Sequence, residues 1–127
     1  MAEKYVIGVD YGTLSGRAVV VRVSDGKELG SGVYDYPHAV MDTKLAASGA
    51  SLSPDWALQD ANDYVEVLKH AVPDALLEAG ISSADVIGIA TDFTACTMVP
   101  VTESGVPMSN LPNHKNNPHA YVKLWKH

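Results

Sequence analysis

Eight consecutive residues near the N-terminus, Asp10-Tyr11-Gly12-Thr13-Leu14-Ser15-Gly16-Arg17, place a carboxylate, two glycines, two aliphatic hydroxyls and a cation together. A polyphosphate requires that mixture. Glycines let backbone N–H groups approach phosphate oxygens, hydroxyls donate further bonds, an Arg neutralises charge, and a carboxylate can hold hydrated Mg²⁺. The spacing is neither a Walker loop nor a dinucleotide fingerprint. On spacing alone the plainer reading ranks ahead: an ordinary hairpin turn that uses Gly for its unusual dihedrals.

A second group is Thr91-Asp92-Phe93-Thr94-Ala95-Cys96-Thr97. Asp92, just past an apolar run, either caps local backbone or touches a ligand, and capping is the commoner use of such an Asp. Nothing sequential activates Cys96, so a small packing residue is expected rather than a nucleophile. The five His, at 38, 70, 114, 119 and 127, show no metal-ligand spacing. Trp125 could lay its ring on an apolar face of a ligand or anchor a helix in a core. Lys126 could assist anion binding, but a solvated cation on a helix face is the commoner use of such a Lys.

These groups must be carried by defined elements. Lys4–Asp10 and Arg17–Val23 are rich in Val and Ile, and Glu28–Tyr36 alternates polar with apolar residues, which predicts strands joined by short Gly-containing connections into an antiparallel meander. Pro37 to Trp56 has no sustained period and, as a long connection, is either mobile or functional; it could lie over a substrate site. Ala61, Tyr64, Val65, Leu68, Ala71, Val72, Ala75, Leu76 and Ala79 then recur at helical spacing. Asp60 is the expected N-cap and Gly80 the expected C-cap, with a kink or break at Pro73.

Asp85–Thr91 and Thr97–Thr102 read as strands, Glu103-Ser104-Gly105 as a turn, and Val106 to Asn116 as an irregular loop. Asn117-Pro118 predicts a helix start, with the helix running on through Ala120, Tyr121, Leu124 and Trp125. An apolar face still presented at His127, with no Gly and no C-cap, predicts that the chain is cut from a longer protein. Val6-Ile7-Gly8-Val9 and Val86-Ile87-Gly88-Ile89 echo each other and both look buried on two faces. A right-handed crossover through the helix would make them parallel neighbours, so that Asp10 and the Thr91–Cys96 turn face one cleft. Buried strands also simply reuse Val, Ile and Gly, so no true repeat follows.

Composition narrows the classes. Nine Lys plus Arg against 15 Asp plus Glu, net −6 over 127 residues, argues against a non-specific binder of nucleic acid or acidic membranes. At 46% hydrophobic and 19% charged, the chain suits one domain with a real core and excludes two full domains. The first apolar run, Tyr5–Val9, is too short for a signal-peptide core or a bilayer span. A single Cys suits a reducing compartment, and a cytoplasmic protein is expected.

The stretch Ile7-Gly8-Val9-Asp10-Tyr11-Gly12-Thr13-Leu14-Ser15-Gly16-Arg17-Ala18 resembles the first phosphate motif of the FGGY carbohydrate kinases, within the actin-like ATPase superfamily. Thr91–Thr97 and Asn117–His127 resemble the ribulokinase branch, and the resemblance runs through essentially the whole chain. It implies an α/β, ribonuclease-H-like fold: a mixed sheet of three antiparallel strands, a crossover helix and a parallel strand, here an incomplete first domain over residues 1–127. It implies transfer of the γ-phosphoryl of ATP, with Mg²⁺, to a terminal hydroxyl of ribulose, in pentose catabolism on the arabinose route.

By the resemblance, Asp10 (metal, through water), Gly12, Thr13, Ser15 and Arg17 lie near the transferred phosphate, and Thr94, Ala95 and Trp125 near the sugar. The catalytic base and most of the adenosine pocket belong beyond His127, in the remainder of the kinase chain. Thr94-Ala95 replaces the Arg-Glu clamp of glycerol kinases and the Met-His pair of xylulokinases. His127 replaces the Asp that xylulokinases carry two residues after the Trp. The first departure argues against glycerol as substrate, and the others favour the ribulokinase branch over xylulokinases. Three alternatives stay open: another pentulose or polyol kinase of the family, a non-catalytic actin-like nucleotide-binding module, and an isolated chain with no activity of its own.

Overall fold

The computed structural model describes residues 2–126. By chain contacts these form two compact units, residues 2–36 with 64–93 and residues 37–63 with 94–126.

The first unit is built on a mixed four-stranded sheet. Strands β1 (Tyr5–Tyr11), β2 (Ser15–Arg22) and β3 (Glu28–Asp35) form the antiparallel meander, and β5 (Val86–Phe93) joins β1 in parallel. The expected meander and crossover are therefore present. Ile7, Val9, Tyr11, Ala18 and Val20 turn one sheet face into the core, against Val67, Ala71 and Ala75 of helix α1 (Ala61–Ala79).

Small residues set how close that helix lies. A Cβ added at Gly30 would stand 2.6 Å from the Ala75 carbonyl oxygen, and one at Gly32 or Gly16 would collide with Ala71 or Val67. The helix backbone thus rests directly on strand glycines, with Ala on the facing side. This close seat rotates the buried stripe from the one read in the sequence. Val67 is fully buried, whereas Val65 is 49% and Leu68 38% exposed.

The caps are the expected ones. Asp60 Oδ1 accepts from the Asn62 N–H at 2.9 Å. Gly80, at φ +67°, ends the helix with its N–H on the Leu77 carbonyl and the Ile81 N–H on the Leu76 carbonyl. Pro73 does not break it: α1 is one continuous element. Pro73 and Lys69 both face solvent, so the carbonyl that lost its partner can be hydrated there.

β5 corrects a second expectation. It is not buried on two faces: Ile87, Ile89 and Phe93 are 62%, 57% and 48% exposed. It is one of the two edge strands, and the closest approaches of α1 are to glycines of β2 and β3. The echo between β1 and β5 is out of register as well, since Gly8 pairs with Ala90 and Val6 with Gly88.

The second unit has little regular structure and a core of its own. Met41, Leu45, Leu58, Ala120 and Tyr121 cluster there, and a small antiparallel sheet pairs β4 (Leu58–Gln59) with β6 (Val122–Lys123). The aperiodic 37–56 segment is thus a core contributor, tied down by bridges Met41–Leu58 and Lys44–Ser51. Thr97–Thr102 is not a strand. It makes only isolated bridges, Met98 to Lys123 and Val101 to Pro107. The turn at 103–105 is present, with Gly105 at φ +85°, and the 106–116 loop contains the short 3₁₀ turns Met108–Asn110 and Pro112–His114.

The helix expected from Asn117 does not form. Its start is correct, since Asn117 Oδ1 accepts from the His119 N–H at 3.0 Å, but one 3₁₀ turn, Pro118–Ala120, gives way to β6. Tyr121, Val122 and Leu124 are all buried. The Leu124 N–H is taken by the Ala57 carbonyl at 3.0 Å. The readings placed on His127 lie outside the described residues.

Candidate functional site

Within the first unit, alternation along the strands sorts the candidates. Ile7, Val9 and Tyr11 face the core, so Asp10 projects from the opposite, outer face at the carboxyl end of β1. Arg17 is its cross-strand partner on β2, and Asp92 sits at the same level on β5. Ser15 shares the Arg17 face by the same alternation. Asp10, Arg17, Thr91 and Asp92 line one open concavity of about 390 Å³. Among the described residues, Asp10, Arg17 and Asp92 make no ion pair. Asp92 does cap locally, its Oδ1 accepting from the Phe93 N–H at 3.0 Å.

Thr13 lies in the tight β1–β2 connection, closed by the Gly12 N–H on the Ser15 carbonyl at 2.9 Å. Neither Gly12 nor Gly16 has a positive φ. The idea that these glycines supply unusual dihedrals is therefore corrected. Gly16 is required by the approach of Val67 on the core side, and a Cβ at Gly12 would stand 3.1 Å from the Ser15 carbonyl oxygen.

Thr94, Ala95 and Trp125 belong to the second unit. The Thr94 and Thr97 hydroxyls lie 2.7 Å apart, and the Thr97 hydroxyl reaches the Ala95 carbonyl at 3.5 Å. Cys96 is exposed and held at φ +57°, so it does not pack as expected. Trp125 is 63% exposed and outside any helix, which removes its reading as a helix-core anchor. Lys126 is exposed beside a concavity that Asp42, Asp55 and Trp56 also line.

Sequence reasoning missed the most organised polar contact of this unit. Asp63, 2% exposed, accepts from His38 twice: Nδ1 at 2.7 Å and the backbone N–H at 3.0 Å. Asp60 Oδ2 stands 3.8 Å from the same Nδ1. The hydrogen bond to Asp63 raises the His38 pKa above its ordinary value, burial opposes it, and the charges of Asp63 and Asp60 add to it. Burial likewise raises the Tyr121 pKa, with Asp60 adding to it. An acid three residues after an N-cap was the available signal. Its partner, 25 residues earlier in an aperiodic segment, was not.

The set of an exposed carboxylate, a facing second carboxylate, an Arg and hairpin hydroxyls suits an anion accompanied by a hard divalent cation. Known structures carry the same architecture. A gluconate kinase from Lactobacillus acidophilus superposes with a TM-score of 0.62 at 19% identity, over 82% of this chain and 18% of that one. A xylulose kinase from Rhodospirillum rubrum does so at 0.55 and 23%, over 81% and 19%. The chain thus shares its fold with these two sugar kinases, a mixed sheet with a helical crossover.

In sequence the chain is homologous over its whole length to the N-terminal part of ribulokinases. It is 55% identical over 127 residues to the ribulokinase of Geobacillus thermodenitrificans, and 40% identical over 123 residues to that of Staphylococcus aureus. The chain spans 22% of the length of each. No family model matches it. No helix among the described residues is long and apolar enough to cross a membrane.

Proposed function

We propose that this chain is the N-terminal part of the first domain of a cytoplasmic ATP-dependent ribulokinase, and that its outer-face cluster handles the phosphate end of the reaction. The observation that carries the reading is the placement of Asp10, Arg17 and Asp92 along one concavity at the end of two parallel strands. Open parallel sheets gather ligands at that end.

In this reading Asp10 would hold Mg²⁺ through water, and Gly12, Thr13, Ser15 and Arg17 would contact the phosphates of ATP. The metal, when bound, would supply charge neutralisation at the transferred phosphoryl group. Arg17 adds a fixed positive charge, and the Thr13 and Ser15 hydroxyls donate hydrogen bonds. Phosphoryl transfer asks little covalent chemistry of a protein, so such positioning and electrostatics constitute most of the catalysis. Thr94, Ala95 and Trp125 take the sugar: a hydroxyl, a backbone N–H and an exposed indole suit a small neutral polyol. The base that deprotonates the attacking hydroxyl lies in the remainder of the kinase. The 127-residue chain by itself is accordingly expected to show no turnover.

The test is made in the full-length protein. Asp10→Asn and Thr13→Val should each lower kcat by roughly 10² to 10³ while the melting temperature holds, the cost typical of one lost transition-state contact. Unchanged turnover per folded molecule with reduced stability would leave the hairpin as a structural turn only.

A further inference from the structure

The hairpin that the proposed function uses is held from behind by a residue outside the motif. Tyr36 follows β3 and is 4% exposed. Its hydroxyl donates to the Gly12 carbonyl at 2.8 Å, and its N–H donates to the Leu14 carbonyl at 2.9 Å. The ring is fixed in turn, edge-on to Tyr64 at 5.6 Å and 74°. Tyr64 meets Tyr11 edge-on at 5.4 Å, and the Tyr11 hydroxyl donates to the Tyr64 carbonyl at 2.9 Å.

We infer that Tyr36 is a positioning residue for the phosphate hairpin, an assignment that rests on the proposed role of that hairpin. In a trans peptide the C=O and the following N–H point in opposite directions. Binding the Gly12 and Leu14 carbonyls to Tyr36 therefore turns the N–H groups of Thr13 and Ser15 away from it. Two carbonyl oxygens that would repel phosphate oxygens are drawn back, and the amide dipoles present their positive ends on the other side. The buried ring and its tyrosine neighbours make this orientation a property of the folded core, set before any ligand arrives.

The experiment compares Tyr36→Phe with Asp10→Asn in the full-length protein, at saturating ATP and Mg²⁺. Phe keeps the ring packing and the backbone bond and deletes only the hydroxyl bond. The expected result is a loss of about tenfold in kcat per folded molecule, with the KM for ribulose unchanged and no comparable fall in melting temperature. Full kcat in Tyr36→Phe beside a crippled Asp10→Asn overturns the role of Tyr36 and leaves the phosphate site standing. A parallel rise in the KM for ribulose, or a loss explained by unfolding, also overturns it. Full kcat in Asp10→Asn removes the phosphate site and the Tyr36 assignment with it. Amide hydrogen exchange across Gly12–Ser15 provides a second readout that needs no turnover. Faster exchange confined to the hairpin in Tyr36→Phe supports the assignment, and unchanged exchange overturns it.

Discussion

The two units of this chain bury their apolar residues by opposite means. The first sets a regular sheet against a regular helix and gains closeness by removing side chains: Gly16, Gly30 and Gly32 face Val67, Ala71 and Ala75. The second has almost no regular structure and builds its core from large residues gathered along an irregular chain: Met41, Leu45, Leu58 and Tyr121. In the first, geometry is repetitive, and shape complementarity comes from backbone meeting backbone. In the second, each buried side chain is placed by its own tether, such as the Leu45 N–H on the Ala50 carbonyl or the Tyr121 hydroxyl on the Lys115 carbonyl, both at 2.9 Å. The two designs should fail differently when perturbed.

The largest effect should come from truncating the irregular core. Leu45 is fully buried, so Leu45→Ala should cost about 2–5 kcal/mol, the upper part of that range if the surrounding chain cannot collapse onto the cavity. Urea denaturation measures it, and a cost below about 1 kcal/mol would show this unit to be loosely packed.

Overpacking should come next, in the regular unit. Gly30→Ala drives a methyl to within 2.6 Å of the Ala75 carbonyl oxygen, a backbone atom that cannot swing aside. A loss of about 1–3 kcal/mol is expected. Gly88→Ala, on edge strand β5, meets only a Val6 methyl at 3.6 Å and should be close to neutral. Equal losses at the two positions would mean that strand propensity, not helix approach, governs these glycines.

The His38–Asp63 contact sharpens the second unit's side of the comparison through pH. The folded-state pKa of His38 is raised, chiefly by its bond to Asp63. Its contribution to stability should therefore be complete below the unfolded value near 6.5 and fade as pH rises through the folded value. The melting-temperature advantage of the wild type over His38→Gln should shrink between pH 6 and 8. A difference that grows with pH would contradict the assignment.

The smallest effect belongs to the β2–β3 turn. Arg22 holds Asp25 in two hydrogen bonds, at 3.0 and 2.6 Å, and lowers the Asp25 pKa to about 2. Both groups are solvated, so Asp25→Asn should barely move the melting temperature at pH 7. Any benefit present above the ordinary carboxylate value should disappear as pH falls toward 2, and carboxylate NMR titration reports the Asp25 value directly.

Residue order alone determined the meander, the parallel placement of β5 and the extent of α1 with its Asp60 and Gly80 caps. These rest on local signals: periods of two and 3.6, short Gly turns, and caps whose partners lie within a few residues. The resemblance to sugar kinases rested on short motifs of the same kind. Only the tertiary structure decided which helix face is buried, because strand glycines invite Val67 inward and leave Val65 and Leu68 in water. It likewise ended the Asn117 helix after one turn, because Val122 and Lys123 find β4. It brought His38 to Asp63 and Tyr36 to the hairpin. Each of those outcomes depends on a partner distant in sequence, and neither hydrophobic periodicity nor a cap signal carries information about such a partner.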